Sequence, residues 1–153
     1  MDKLKILFLC TGNSCRSQMA EGWARRLHPD TIEPWSAGTD PKGLDPLAIR
    51  VMAEAGVDIS RQRSKHLNDL KELPFDYVIT VCDSANETCP FFPGKTVRIH
   101  QGFDDPPRLS KSVDTEEEIL TVYRRVRNEI RIFIEKIPDA VNMKANVNRR
   151  TSA

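Results

Sequence analysis

The chain has 153 residues, 39% hydrophobic and 29% charged, and Lys+Arg 23 against Asp+Glu 22 leaves a formal charge of +1. That length suits one domain with one core, the composition excludes a disordered chain, and the balanced charge offers no field for nucleic acid or an anionic membrane. The apolar runs fall far short of the ~18 residues of a membrane span, the start MDKLKILFLC is too short for a signal peptide, and four Cys are too sparse for a secreted disulfide framework, so a cytosolic monomer whose thiols need a chemical explanation is expected.

Leu4 to Leu9 is a nearly continuous apolar run, the pattern of a strand buried on both faces. After CTGNSC, the stretch Ser17 to Leu27 puts Met19, Ala20, Trp23, Ala24 and Leu27 on one helical stripe. Ile32 to Ala37 reads as a second strand, ended by Gly38. Asp45-Pro46 supplies an N-cap and an N1 proline for a helix that buries Leu47, Val51, Met52 and Ala55, with Gly56 closing its C-terminus. Ser64 to Leu73 is expected to form a short helix or helical turn. Phe75 to Val81 is the third strand by its β-branched and aromatic content, and Thr96 to Ile99 the fourth. The last helix starts near Thr115, with Glu116, Glu117 and Glu118 at its positive end. It buries Ile119, Tyr123, Val126, Ile130, Phe133 and Ile137 and stops at Pro138. The domain spans residues 1–138. The aperiodic tail from Asp139 to Ala153 is expected to be disordered.

Strands alternating with helices imply a three-layer α/β domain, a four-stranded parallel sheet with helices on both faces. A flavodoxin-like strand order of 2-1-3-4 sets the first and third strands side by side, ~4.8 Å apart. Working groups in such sheets gather beyond the carboxyl ends of the strands. Cys10, Cys82 and the pair Asp104-Asp105 then share one edge.

The loop Cys10-Thr11-Gly12-Asn13-Ser14-Cys15-Arg16-Ser17 carries the most chemistry. A Cys five residues before an Arg, between a strand and a helix, can wrap a tetrahedral anion in backbone amides and the helix N-terminus. Gly12 permits close backbone approach, and the Arg16 fork can hold two oxygens. The same positive field favours thiolate at Cys10, a nucleophile. Ser17 is placed to donate to that sulfur, and Asn13 to hold the loop's shape. Two buried structural cysteines would leave Gly12, Arg16 and Ser17 unexplained. Structural zinc is disfavoured because the second Cys pair has six residues between its members rather than two to four, and no metal or cofactor is expected. In GFDDPP, Asp105, held stiffly by Pro106 and Pro107, is the candidate acid for a departing oxygen.

At these residues the chain resembles the low-molecular-weight protein tyrosine phosphatase superfamily, and within it the thioredoxin-coupled arsenate reductases. The resemblance covers roughly residues 3 to 137. Gln18 and Pro107 stand where the phosphatase branch usually has Pro and an aromatic. CRSQMAEGWA, the Ser36-Ala37-Gly38 turn, the Cys82 to Cys89 block with Pro90, and GFDDP all resemble the reductase branch. The resemblance implies that Cys10 attacks arsenate held by Arg16 and the amides of Thr11 to Arg16, while Asp105 protonates the departing oxygen. It further implies that Cys82 attacks the Cys10 sulfur, releasing arsenite, and that Cys89 then attacks Cys82. The disulfide passes from Cys10–Cys82 to Cys82–Cys89 and is reduced by thioredoxin. Three sulfurs cannot all be bridged in one rigid geometry, because a disulfide needs Cα atoms within ~7 Å, so Asp83 to Thr88 is expected to rearrange.

Some reductases hold potassium at positions matching Asn13, Glu21 and Ser36, but Lys65 in Ser64-Lys65-His66-Leu67 would repel a cation, and no strong potassium dependence is expected. Cys15 occurs in similar loops of both branches and does not discriminate between them. His28, His66 and His100 show no ligand spacing. The alternative function is a phosphatase acting on aryl phosphate monoesters. A third class is a sensor that binds a thiophilic ion through several Cys.

Overall fold

The structure, a computed structural model, describes residues 3–70, 72–89 and 95–137. Its elements in chain order are β1 (Leu4–Cys10), α1 (Arg16–Leu27), β2 (Ile32–Gly38), α2 (Pro46–Glu54), a 3-10 turn (Leu67–Asp69), β3 (Tyr77–Thr80), α3 (Asp83–Thr88), β4 (Val97–His100), α4 (Pro106–Ser110) and α5 (Glu116–Glu135). The strands form one parallel sheet in the order β2-β1-β3-β4, the flavodoxin-like arrangement expected from the alternation. β1 runs through its middle, with Ile6, Leu7, Phe8 and Leu9 all fully buried. A strand covered on both faces has no polar side to alternate with, which is why its sequence is a continuous apolar run.

Helix boundaries follow local chemistry. Asp45 caps α2 through Leu47 N–H to Oδ1 at 2.9 Å, with Pro46 in the first turn. Gly56 closes that helix at φ +82, where a side chain would be strained. Thr115 Oγ1 accepts from Glu118 N–H and donates to Glu118 Oε1, a reciprocal cap at the start of α5.

Several expectations are corrected. Of the short helix or helical turn expected at Ser64 to Leu73, the structure has the turn, a 3-10 turn at Leu67–Asp69 capped by His66 Nδ1 accepting from Asn68 N–H. In α2 the buried residues are Ala48, Val51 and Met52, while Leu47 and Ala55 are only half-buried. In α5 Leu120 and Ile134 join the buried stripe and Ile119 sits at its margin. β3 is shorter than expected, ending at Thr80, and α4 follows from the two prolines after Asp105 without having been anticipated. The placement of Pro90, of Pro138 as the helix stop and of the 139–153 tail lies outside the described residues. Among the described residues no helix is long and apolar enough to cross a membrane.

Candidate active site

Cys10 is the last residue of β1, and parallel pairing with β3 carries Cys82 to the same sheet edge. The loop between Cys10 and α1 is turned inside out by its surroundings. The carbonyls of Cys10, Thr11, Gly12 and Ser14 accept from the amides of Thr39, Asp40, Lys42 and Asp45 at 2.8–3.3 Å. The Asn13 carbonyl accepts from Gln18 Nε2 at 3.0 Å. With five consecutive carbonyls bound on the outside, the loop's N–H groups are left for its interior, the geometry of an anion-binding nest. α1 then opens without a side-chain cap, so its first amides add to the same donor set.

Asn13 sets the loop's curvature. It has φ +46, the positive-φ residue of the loop, and its side chain is fully buried. Its Nδ2 donates to Ser17 Oγ at 2.9 Å, and its Oδ1 accepts from Lys65 N–H at 2.8 Å. Asn13 therefore holds the loop's shape as expected. Among the described residues the bond made by Ser17 is this one, and the expected Ser17–Cys10 bond is not formed. Gly12 is less critical than its position suggested, since a Cβ there would meet only the Lys42 and Ser14 side chains at 3.3 Å. The crowded glycine is Gly38, where a Cβ would lie 2.5 Å from the Thr11 carbonyl oxygen and 2.9 Å from Asn13 N.

Arg16 is nearly buried and held from two sides. Nη1 donates to the Phe103 carbonyl at 2.9 Å, and Nη2 faces Asp105 Oδ2 at 3.7 Å. Asp105 sits at the N-cap position of α4, with Pro106 and Pro107 following, and stays one-third exposed. Its neighbour Asp104 instead turns to Arg125 on α5 at 3.1 Å.

The four cysteines are free thiols. Cys10 and Cys82 share a hydrogen bond and titrate together. Donation from Cys10 is the largest influence pulling Cys82 down, to about 5, with help from the Thr11 hydroxyl (3.4 Å), the Ala85 amide (3.4 Å) and Arg16. The Cys10 thiol is pushed up, first by that bond and then by burial. The bond thus favours thiolate at Cys82 and thiol at Cys10. Burial, then Asp45, pushes Cys15 up and keeps it a thiol. Cys89 ends α3, half-buried, and burial raises it as well. Six helical residues separate Cys82 from Cys89, which at 1.5 Å per residue puts their Cα atoms ~10 Å apart, beyond disulfide reach.

At the positions associated with potassium, Glu21 accepts from Ser36 Oγ at 2.6 Å and from Arg25 Nη2 at 2.7 Å. Lys65 is half-buried close enough to feel that carboxylate, so positive side chains of the chain itself face Glu21. A cleft of about 1150 Å³ beside β2, lined by residues including Trp35, Arg61 and Lys65, contains none of the cysteines.

Sequence reasoning found the cysteines, Arg16 and Asp105 but missed the buttress. Gln18 donates to the Arg63 carbonyl (2.9 Å), Ser64 Oγ to the Gly12 carbonyl (3.3 Å), and Tyr123 to Asp45 (2.6 Å). These contacts join residues far apart in the chain, and the Ser36-Ala37-Gly38 turn was the nearest local hint of them.

The chain matches the low molecular weight phosphotyrosine protein phosphatase family over residues 5–147. It is similar to the arsenate reductase of Halalkalibacterium halodurans, 46% identical over 130 residues that cover 85% of this chain and 91% of the relative. Among solved structures, an arsenate reductase in the phosphate binding state aligns with a TM-score of 0.71 and 31% identity, covering 88% of this chain and 95% of that one. A Corynebacterium glutamicum thioredoxin-dependent arsenate reductase aligns with a TM-score of 0.61 and 27% identity over 87% of this chain and 62% of its own. The chain therefore belongs to the low molecular weight phosphotyrosine protein phosphatase family, on its arsenate reductase branch.

Proposed function

We propose that the protein reduces arsenate to arsenite by a relay through Cys10, Cys82 and Cys89, with thioredoxin as the electron donor. The carrying observation is a second buried cysteine, Cys82, against Cys10 at the start of the anion loop, with its sulfur 3.4 Å from the Thr11 hydroxyl. Hydrolysis of a phosphate ester needs one such sulfur, and reduction needs two within reach.

Arsenate enters the loop with its oxygens on Arg16 and the amides of Thr11 to Arg16. Arg16 and the loop amides favour negative charge on Cys10, whose proton passes across the shared hydrogen bond to Cys82. The Cys10 sulfur bonds arsenic, and one oxygen leaves as water, protonated from the side of Asp105. Cys82, having released that proton to solvent, attacks the Cys10 sulfur. The S–As bond breaks with its electron pair kept by arsenic, which leaves as arsenite, and a Cys10–Cys82 disulfide remains. Cys89 then attacks Cys82 and frees Cys10 as thiolate, which requires α3 to unwind. Two electrons from thioredoxin reduce the Cys82–Cys89 disulfide. The C. glutamicum structural neighbour, described as thioredoxin-dependent, supports that choice of donor.

The test is arsenate-dependent NADPH oxidation with thioredoxin and its reductase. Wild type should turn over, Cys10→Ser should not react, and Cys82→Ser and Cys89→Ser should stop within one turnover. Activity surviving loss of Cys89 would refute the relay. Phosphate ester hydrolysis, the second reading, is favoured by the loop itself, which suits phosphate as well as arsenate; Cys82→Ser should leave that hydrolysis nearly untouched.

A further inference from the structure

The relay gives α3 two duties, to hold Cys82 against Cys10 and later to release it toward Cys89. A six-residue helix is far too short to be stable by itself, so its tertiary ties decide when it opens. One tie is the burial of Ala85. A second is the Ala85 N–H donated to Cys82 Sγ at 3.4 Å. The third is an imidazole that the mechanism does not use.

His100 ends β4 opposite Thr80, the last residue of β3. Its Nδ1 lies 2.8 Å from Thr80 Oγ1, and its Nε2 lies 2.9 Å from Asp83 Oδ1. Thr80 is two residues before Cys82 and Asp83 one residue after it, so a single ring bridges side chains on both sides of that cysteine. Gly102 makes room for the grip: a Cβ there would lie 3.3 Å from both Asp83 Oδ1 and His100 Nε2. Both ring states keep both contacts. The neutral ring donates from Nε2 and accepts the Thr80 hydroxyl at Nδ1, whereas the cationic ring donates from both nitrogens while the hydroxyl turns to the Ile99 carbonyl at 3.5 Å.

We propose that His100 is a positioning residue that clamps the chain across Cys82 and sets when α3 yields that cysteine to Cys89. The inference rests on the relay reading. Once Cys82 enters a disulfide with Cys10, its sulfur loses the thiolate charge that drew the Ala85 amide, and the helix keeps the Thr80–His100–Asp83 bridge and the Ala85 contact. The clamp therefore bears most on the step between the two disulfides.

The test uses the full chain with His100→Ala, His100→Gln and Asp83→Ala. In reduced protein, amide hydrogen exchange across residues 84–88 and mass-mapped alkylation of Cys82 by iodoacetamide should quicken roughly two- to fivefold in the two alanine variants, the range of an exposed polar side-chain contact. His100→Gln, which can still donate to Asp83, should stay nearer wild type. Rapid-quench oxidation with one equivalent of arsenate should show the ratio of Cys82–Cys89 to Cys10–Cys82 disulfide rising early in both alanine variants. Wild type forming both disulfides, with exchange, alkylation and ratio unchanged in the variants, overturns the clamp alone. Faster exchange spread over the whole sheet overturns it too, because the role would then be general stability. A wild type that never forms the Cys82–Cys89 bond overturns the relay and the clamp's part in it together.

Discussion

The segments that leave the carboxyl ends of β1 and β3 are neighbours built on opposite plans. Residues 10–17 are fixed from outside by amides of residues 39–45, by Gln18 and by the Ser64-Lys65 stretch, so the loop keeps its shape whether or not an anion is present. Residues 82–89 hold a six-residue helix tied by the buried Ala85, a histidine bridge and the Cys89 carbonyl accepting from Arg98 at 3.5 Å. An anion cradle works by preorganisation, which demands rigidity. A thiol that passes between two partners, as the proposed relay has it, would demand the reverse, and a helix as short as α3 suits that demand.

Removing the nucleophile should have the largest effect. Cys10→Ser should lower arsenate turnover by at least ~10³-fold while leaving phosphate binding to the loop measurable by calorimetry. Next, Asp105→Asn should cost about 10²-fold or more in kcat, with little change in phosphate affinity; an equal loss of both would place Asp105 in binding rather than proton transfer.

The shared charge of Cys10 and Cys82 should appear in the pH profile of alkylation. One reactive thiolate should persist from alkaline pH down to about 5 and be lost below it, since a lowered thiol loses its thiolate only as pH falls through the lowered value. An inflection near 9, the ordinary value, would break the pairing.

Gly38→Ala probes the rigid side. Its Cβ would press on the Thr11 carbonyl and Asn13 amide, so it should destabilise by about 1–3 kcal/mol in denaturant titrations and weaken phosphate binding, with α3 exchange unchanged. The smallest effect belongs to a site remote from both segments. Thr115→Ala removes the cap of α5 and should cost about 1 kcal/mol of stability with unaltered kcat.

Much of this was legible before any coordinates. The β1 run, the capped α2 and the amphipathic α5 are local patterns, and periodicity or capping chemistry is sufficient to place them. In the stretch Ser64 to Leu73 the helical turn starts only at Leu67 because the backbone before it is committed elsewhere. Lys65 N–H goes to Asn13 and its carbonyl takes the Gly38 amide, so neither can join a helix. α4 was overlooked because two prolines in a row look like an extended turn, although both can sit in a helix's first turn, where no amide donor is needed.

The sequence by itself determined the chemistry available: a cysteine and an arginine five residues apart on a strand-loop-helix, two further cysteines separated by six residues, and a carboxylate stiffened by prolines. Only the tertiary structure decided which of these groups meet. Parallel pairing of β1 with β3 brings Cys82 onto Cys10, and that contact shifts both thiols. The Gly38 backbone closes the loop, and His100 reaches across from β4 to the first residue of α3. The physical reason is range: propensity and capping act over three or four residues, whereas charge sharing, crowding and clamping depend on atoms that the fold brings together from anywhere in the chain.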